Sequence, residues 1–229
     1  MYARLYGPFA LMGLMTLMAA FFMGFRYDAA APAVNYFYNL LLYGVFFAVH
    51  LVMMTPTCKR LLYGRPEGSL GERQIYIMVT VVTWLAVYAL HWPVPGPGFE
   101  SPEWLRFLGY CAMLIGVFGF FEFANYDALA QLLGMPGAEL SHTVGAETPV
   151  MTEGAYASVR HPMYRAAIGT GLASLLVHPQ AGQAFFGAMI GASFLGFIPL
   201  EEAQLIRSRG DAYREYQRAT PWRVMRGVW

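Results

Sequence analysis

An all-α integral membrane protein with about six transmembrane helices is the fold class this sequence predicts, and three observations carry the prediction. The 229-residue chain is 57% hydrophobic and only 13% charged, with a mean hydropathy of +0.42, where a soluble domain carries roughly 25% charged residues. Apolar runs recur along it, most of them close to the roughly 20 residues a helix needs to cross a bilayer. Basic residues crowd into one alternate set of the gaps between those runs. The net charge of +1 gives no sign of a nucleic-acid partner. Cys58 and Cys111 form no framework, and neither is expected in a disulfide.

The first run, Gly7 to Phe25, is free of charge until Arg26. It is longer than the apolar core of a signal peptide and lacks a clear small-residue cleavage site, so it reads as a retained span. Val34 to Met54 is the second and holds His50 near its end. Ile75 to Trp92 is the third, closed by Pro93-Val-Pro-Gly-Pro-Gly98, which cannot continue a helix. Leu105 to Ala124 is the fourth, with Arg106 and Glu122 near enough to its ends to reach water. Met163 to Val177 and Gln183 to Leu200 form a hairpin around His178-Pro-Gln180. Its short first arm implies tilt or a recessed start. The tail from Glu201 reads as an amphipathic helix, with Leu205, Ile206, Tyr213 and Tyr216 interleaved with arginines. The whole, 1–229, is expected to be a single membrane domain.

Six crossings place both termini and the even-numbered gaps on one side. That side carries Arg4, Lys59, Arg60, Arg65, Arg73, Arg160, Arg165 and the tail arginines 207, 209, 214, 218, 223 and 226; the other carries Arg26 and Arg106. The positive-inside rule then makes the crowded side cytoplasmic, in a bacterial cell the cytoplasmic face of the inner membrane. The gap from Asn125 to Arg160 falls there, and loops of that length are usually functional or disordered.

That gap leads into Tyr156-Ala-Ser-Val-Arg-His-Pro-Met-Tyr164. Arg160, His161 and Tyr164 bring a fixed charge, an imidazole and a phenol within one turn, and Pro162 suits a first helical turn, where its missing N–H costs nothing. The free N–H groups of such a start favour an anion. The hairpin returns the chain to the same face at Glu201-Glu202, so the two polar clusters are expected to meet. Singly, Arg160 and Arg165 read as membrane anchors and Tyr156 and Tyr164 as an interfacial belt. Taken with the paired glutamates, they read as a site.

Arg160-His-Pro-Met-Tyr164, Glu201-Glu-Ala-Gln-Leu205 and Gly210-Asp-Ala-Tyr-Arg-Glu-Tyr216 resemble the signature of integral membrane methyltransferases, including the isoprenylcysteine carboxyl and phospholipid N-methyltransferases. His50-Leu-Val-Met-Met-Thr-Pro56 with Lys59, Glu72-Arg-Gln-Ile-Tyr76, Trp92-Pro-Val-Pro95 and Leu129-Ala-Gln-Leu-Leu-Gly134 resemble the methanethiol S-methyltransferases. More loosely, they resemble the nitric-oxide-reductase-associated NnrU group and its carotenoid-isomerase relatives. The chain has His50-Leu51 where the thiol enzymes have a His-Ser pair.

The resemblance implies S-adenosylmethionine as cofactor, with His161, Tyr164 and Glu202 in its shell and Arg160, Glu201, Tyr213 and Tyr216 closing it. Arg160 is also placed among the catalytic residues. On this reading residues 1–124, with the four N-terminal spans, form the acceptor side, and residues 125–229 form the cofactor site. The acceptor is a small or lipophilic thiol arriving through the membrane lipids. Because the thiolate is the nucleophile, His50 is a candidate to orient or deprotonate it, and Glu72, Arg73 and Gln131 are candidate acceptor-side residues. An intramembrane imidazole is a functional candidate by default. His50 also suits a haem ligand in an isomerase-like protein, or a plain helix-packing hydrogen bond. His91, His142 and His178 show no metal-ligand spacing, and no metal is expected.

Overall fold

The computed structural model describes residues 3–63, 70–123 and 150–229. Helix makes up 74% of the structure, and no strand occurs among the described residues, so the all-α expectation holds. The helices are α1 (Ala3–Phe22), α2 (Val34–Met54), α3 (Pro56–Tyr63), α4 (Leu70–Leu90), α5 (Glu103–Phe123), α6 (Pro162–Val177), α7 (Ala181–Arg209) and α8 (Asp211–Ala219), with a single 3-10 turn at Gly154–Ala157. By length and composition α2 and α7 are long and apolar enough to cross a membrane; the apolar parts of α1 and α4 are shorter, Leu11–Phe22 and Ile75–Leu90.

The faces of α2 show which solvent the bundle expects. Its buried side carries Asn35, Asn39, Tyr43 and His50, while Val34, Phe37, Leu41, Val45 and Val52 are exposed at helical spacing. On α5 the outward stripe is Trp104, Phe107, Leu108, Ile115 and Phe118. Amide and imidazole inside with large apolar side chains outside inverts the arrangement of a water-soluble helix. An apolar solvent at these faces would remove the inversion.

The long helices run up and down. The connection α1–α2, the proline-rich connection α4–α5 and the turn α6–α7 meet at one end. There Asp28 N–H donates to Val94 O (3.3 Å), Phe99 N–H to Pro179 O (3.1 Å) and Ala181 N–H to Pro97 O (2.9 Å). Between the ends, Phe21, Phe25, Tyr43, Trp84, Val87, Met113, Val177 and Phe186 form the core. Helix α5 lies close along α6 because glycines face it: a Cβ on Gly109 would strike Val177, and one on Gly116 would strike Thr170. Small residues at such contacts are how membrane helices gain close packing.

Three boundaries differ from the sequence reading. Helix α1 begins at Ala3 and stops at Phe22, ahead of Gly24 at φ +82°. Helix α4 begins at Leu70 rather than Ile75, so Glu72 and Arg73 lie in its first turns instead of a loop. The tail is not one helix from Glu201. Helix α7 continues through Pro199 to Arg209, Gly210 turns the chain at φ +57°, and α8 follows as a separate amphipathic piece. The hairpin turn at residues 178–180 lies where the sequence placed it.

Candidate functional site

Opposite the proline-rich end, the start of α6 meets the end of α7. Pro162 occupies the first helical position of α6, and His161 precedes it in a non-helical conformation (φ −124°, ψ 63°). The residues after α8 run back alongside: Arg160 N–H donates to Trp222 O (2.9 Å) and His161 N–H to Arg223 O (2.8 Å). The backbone before Pro162 is therefore pinned on both sides, and its side chains project toward α7.

Glu202 sits at the centre. Its Oε1 accepts from Arg160 Nε at 2.6 Å and lies 3.2 Å from His161 Nε2; its Oε2 accepts from Gln217 Nε2 at 3.3 Å and Arg223 Nε at 3.2 Å. Arg160 also donates through Nη1 to Thr220 O (2.7 Å). Glu202 lies beyond the apolar part of α7, which ends at Leu200. Burial alone would raise its pKa. The hydrogen bonds from His161, Arg160 and Arg223, with the charge of Arg160, outweigh burial and hold the carboxyl down at about 2. It is an anion across the whole physiological range.

Glu201 has different surroundings. Tyr164 Oη donates to its Oε2 at 2.7 Å, and His161 Nδ1 stands 3.6 Å from the same oxygen. The Glu201 side chain remains 39% exposed, against 5% for Glu202. The His161 ring thus bridges the two carboxylates and stacks on Tyr164 with centroids 5.3 Å apart. Helix α8 closes the far side with Tyr213 and Tyr216, both buried and edge-on to each other at 5.8 Å; Tyr216 Oη donates to Tyr156 O at 2.8 Å. Burial pushes the Tyr216 phenol up to about 12 and also raises that of Tyr213, so both are neutral hydroxyls at neutral pH. All seven residues expected at the cofactor site, Arg160, His161, Tyr164, Glu201, Glu202, Tyr213 and Tyr216, come together here.

The sequence reading missed Arg223 and Gln217, which complete the shell of Glu202, and the carbonyl of Thr220, which accepts from Arg160. Arg223 was counted only among the tail arginines that orient the chain. The available signal was the acidic pair: two adjacent carboxylates face Arg160 as the one fixed cation of the motif at 156–164, so a further arginine of the tail was to be expected.

His50 lies on the inner face of α2. Its Nδ1 is 2.7 Å from Phe46 O and its Nε2 is 2.9 Å from Thr80 Oγ1. A carbonyl only accepts, so Nδ1 carries a proton; at Nε2 the partner is Thr80 Oγ1, whose one hydrogen also faces Tyr76 O at 2.8 Å. Both nitrogens are engaged in helix packing, and a haem iron would have to displace one of these bonds. Around the ring stand Phe46 at 4.3 Å, Tyr76 edge-on at 5.7 Å and Phe197 of α7 at 6.1 Å. Of the remaining acceptor-side candidates, Gln131 lies outside the described residues, as do the side chains of Glu72 and Arg73. The gap Asn125 to Arg160 is described only from residue 150 onward.

Compared with known proteins, the chain is 27% identical over 196 residues to a methanethiol S-methyltransferase of Mycobacterium tuberculosis, covering 80% of this chain and 77% of that protein. It is 26% identical over 196 residues to methanethiol S-methyltransferase 2 of Bradyrhizobium diazoefficiens, covering 82% of this chain and 72% of that protein. These similarities support the relationship to methanethiol S-methyltransferases read from the motifs. No family model matches the chain, and no solved structure matches it significantly.

Proposed function

We propose that this protein is a membrane-embedded methyltransferase that moves a methyl group from S-adenosylmethionine to a small or lipophilic thiol. One observation carries the reading: motifs 37 to 42 residues apart in sequence close into a single network that saturates one glutamate and leaves its neighbour half exposed. Sequence similarity to two methanethiol S-methyltransferases supports the reaction class.

The residues fit the cofactor. When bound, S-adenosylmethionine supplies an electrophilic methyl on a sulfonium, together with an ammonium, a carboxylate and hydroxyls. The exposed edge of Glu201 is the anion available to a cationic group, since Glu202 already receives four partners. The open N–H groups at the start of α6 suit the carboxylate. His161 and Tyr164 hold Glu201 in place, and Arg160 holds Glu202, so the site is organised before a ligand arrives. At the acceptor the thiol releases its proton to water, its sulfur forms the new carbon–sulfur bond, and the electrons of the broken methyl–sulfonium bond stay on the departing thioether. Alignment of the two sulfurs supplies much of the rate.

In this reading the six long helices all cross the bilayer, with the Glu201–Glu202 network and both termini in the cytoplasm. The α2–α4 side receives the acceptor through the membrane, and residues 150–229 hold the cofactor. The test is a methyl-transfer assay of the purified protein with methanethiol, hydrogen sulfide, longer thiols and a prenylcysteine. Transfer to a thiol is expected. Transfer to the prenylcysteine carboxylate instead would assign the chemistry of the isoprenylcysteine enzymes, and no transfer to any of them would overturn the proposal.

A further inference from the structure

Tyr76 closes a motif, Glu72-Arg-Gln-Ile-Tyr76, whose last residue the proposed cofactor site leaves unused. It sits in α4 one turn before Thr80, whose hydroxyl lies 2.8 Å from Tyr76 O and 2.9 Å from His50 Nε2. Its ring stands edge-on to His50 at 5.7 Å. The His50 ring in turn faces Phe197 of α7 at 6.1 Å, on the helix that carries Glu201.

Helix α7 supplies the matching wall. Phe194 packs against Tyr164 at 4.8 Å, and Phe197 faces His50 at 6.1 Å. Positions 194, 197 and 201 share one helical face, and Phe197 precedes Glu201 by one turn, about 6 Å along the axis. The His50 region and the carboxylate network are therefore neighbours along α7, with Phe194 and Phe197 on the joining face and Tyr76 against His50. Phe46, 4.3 Å from His50, flanks the same ring from α2. An acceptor sulfur that reaches Glu201 from the α2–α4 side passes this aromatic collar.

We propose that Tyr76 is the specificity-determining residue of the acceptor site: its ring, edge-on to His50 and across it from Phe46 and Phe197, limits the acceptor to a small thiol. The inference rests on the thiol-methyltransferase reading above. A ring at such a position acts by volume, so its removal opens the collar without touching the carboxylate network.

The experiment compares kcat/KM for methanethiol and for hexanethiol in the full-length protein in lipid nanodiscs, with wild type, Tyr76→Ala and Tyr76→Phe. Relative to wild type, Tyr76→Ala is expected to raise the hexanethiol-to-methanethiol ratio at least tenfold, in the range that a few methylenes command in an apolar pocket, about 10–200-fold each. Tyr76→Phe keeps the ring and should keep the wild-type ratio. Should Tyr76→Ala fail to fold, Tyr76→Leu carries the same prediction at a smaller amplitude. An unchanged ratio in the folded small variant would overturn the role of Tyr76 while leaving thiol methylation standing. A wild-type protein inactive on both thiols would instead overturn the functional reading, and this inference with it.

Discussion

The two ends of the helix bundle are held together by different chemistry. At the end where α6 begins and α7 leaves its apolar part, the bonds join charged side chains to one another around Glu202. At the opposite end they join mostly neutral side chains to backbone; Arg26, which donates to Ala89 O (3.1 Å) and His91 O (2.8 Å), and Asp28, which accepts from Ala30 N–H (2.9 Å), are charged members of that set. Asn39 accepts from Trp92 N–H (3.0 Å) and donates to Trp92 O (2.8 Å). Asn35 donates to Pro93 O (2.7 Å), Tyr36 to Pro95 O (2.6 Å) and Tyr27 to Gly96 O (2.9 Å). Gln183 accepts from Phe25 N–H and donates to Ser174, both fully buried. A run of prolines cannot pair with itself, so its carbonyls need such donors. Neutral bonds close a fold without the desolvation cost of ions; buried ion pairs are weak stabilisers and are often replaceable by apolar residues. A fold that closes one end with amides had that option at the other. Under the proposed function, the charged end serves a ligand rather than stability.

The largest effect expected from this contrast is at Glu202. Glu202→Gln leaves Arg160 and Arg223 facing a neutral amide, and breaking a buried pair by removing one partner costs about 3–5 kcal/mol. The thermal midpoint should fall and cofactor binding should be lost with it. Glu201→Gln, next in the chain, should leave the midpoint in place and weaken S-adenosylmethionine about tenfold or more, as loss of a hydrogen bond to a charged group does. Calorimetry on both variants separates the roles. Equal midpoints for the two would break the distinction between a saturated and an available glutamate.

Acid should act on the charged end through Glu202. The folded Glu202 carboxyl is depressed to about 2 from an ordinary 4.5, so its contribution to stability is fully present above pH 4.5. It is lost progressively as the pH falls toward 2. The stability gap between wild type and Glu202→Gln should narrow over that window, and unfolding midpoints against pH would show it. A gap that stays constant from pH 5 to 2.5 would mean that the carboxylate is not held by its cations.

At the neutral end, Asn39→Ala removes two bonds and leaves the Trp92 amide group without partners, which costs about 1–3 kcal/mol. Cofactor affinity per folded molecule should not change. A variant that folds normally yet binds the cofactor poorly would show that the two ends are coupled.

Much of this division was legible in the sequence. The all-helical class and the meeting of Arg160 with Glu202 follow from apolar length and from a hairpin returning the chain to one face. The cofactor motif carries its own spacing. The partners Arg223 and Gln217 were not legible, because they depend on the turn at Gly210 that sends α8 and the following residues back over the site. Nor was the engagement of His50 with Thr80, which depends on the rotational setting of α2 against α4. Periodicity finds a helix face, but not the residue opposite it.

The smallest effect is expected inside the neutral end, where two buried polar groups stand among aromatic rings. Tyr43 is 1% exposed and His91 0%, their rings 5.9 Å apart and edge-on, with Phe25 at 4.6 Å and Phe185 at 6.0 Å from His91. Neither the Tyr43 hydroxyl nor either His91 nitrogen has a hydrogen-bond partner among the described residues. The nearby Trp92 N–H is already given to Asn39. Removing a polar atom that makes no bond leaves nothing unpaired behind, so the large penalty of breaking a buried pair does not arise. The ring of Tyr43 keeps its packing in Tyr43→Phe, so no cavity opens. Unfolding of Tyr43→Phe should therefore match wild type within about 1 kcal/mol, or shift slightly upward, with methyl-transfer activity unchanged. A loss of about 2 kcal/mol or more would put a hydrogen-bond partner on that hydroxyl. It would also make the neutral end as dependent on a buried polar contact as the charged one.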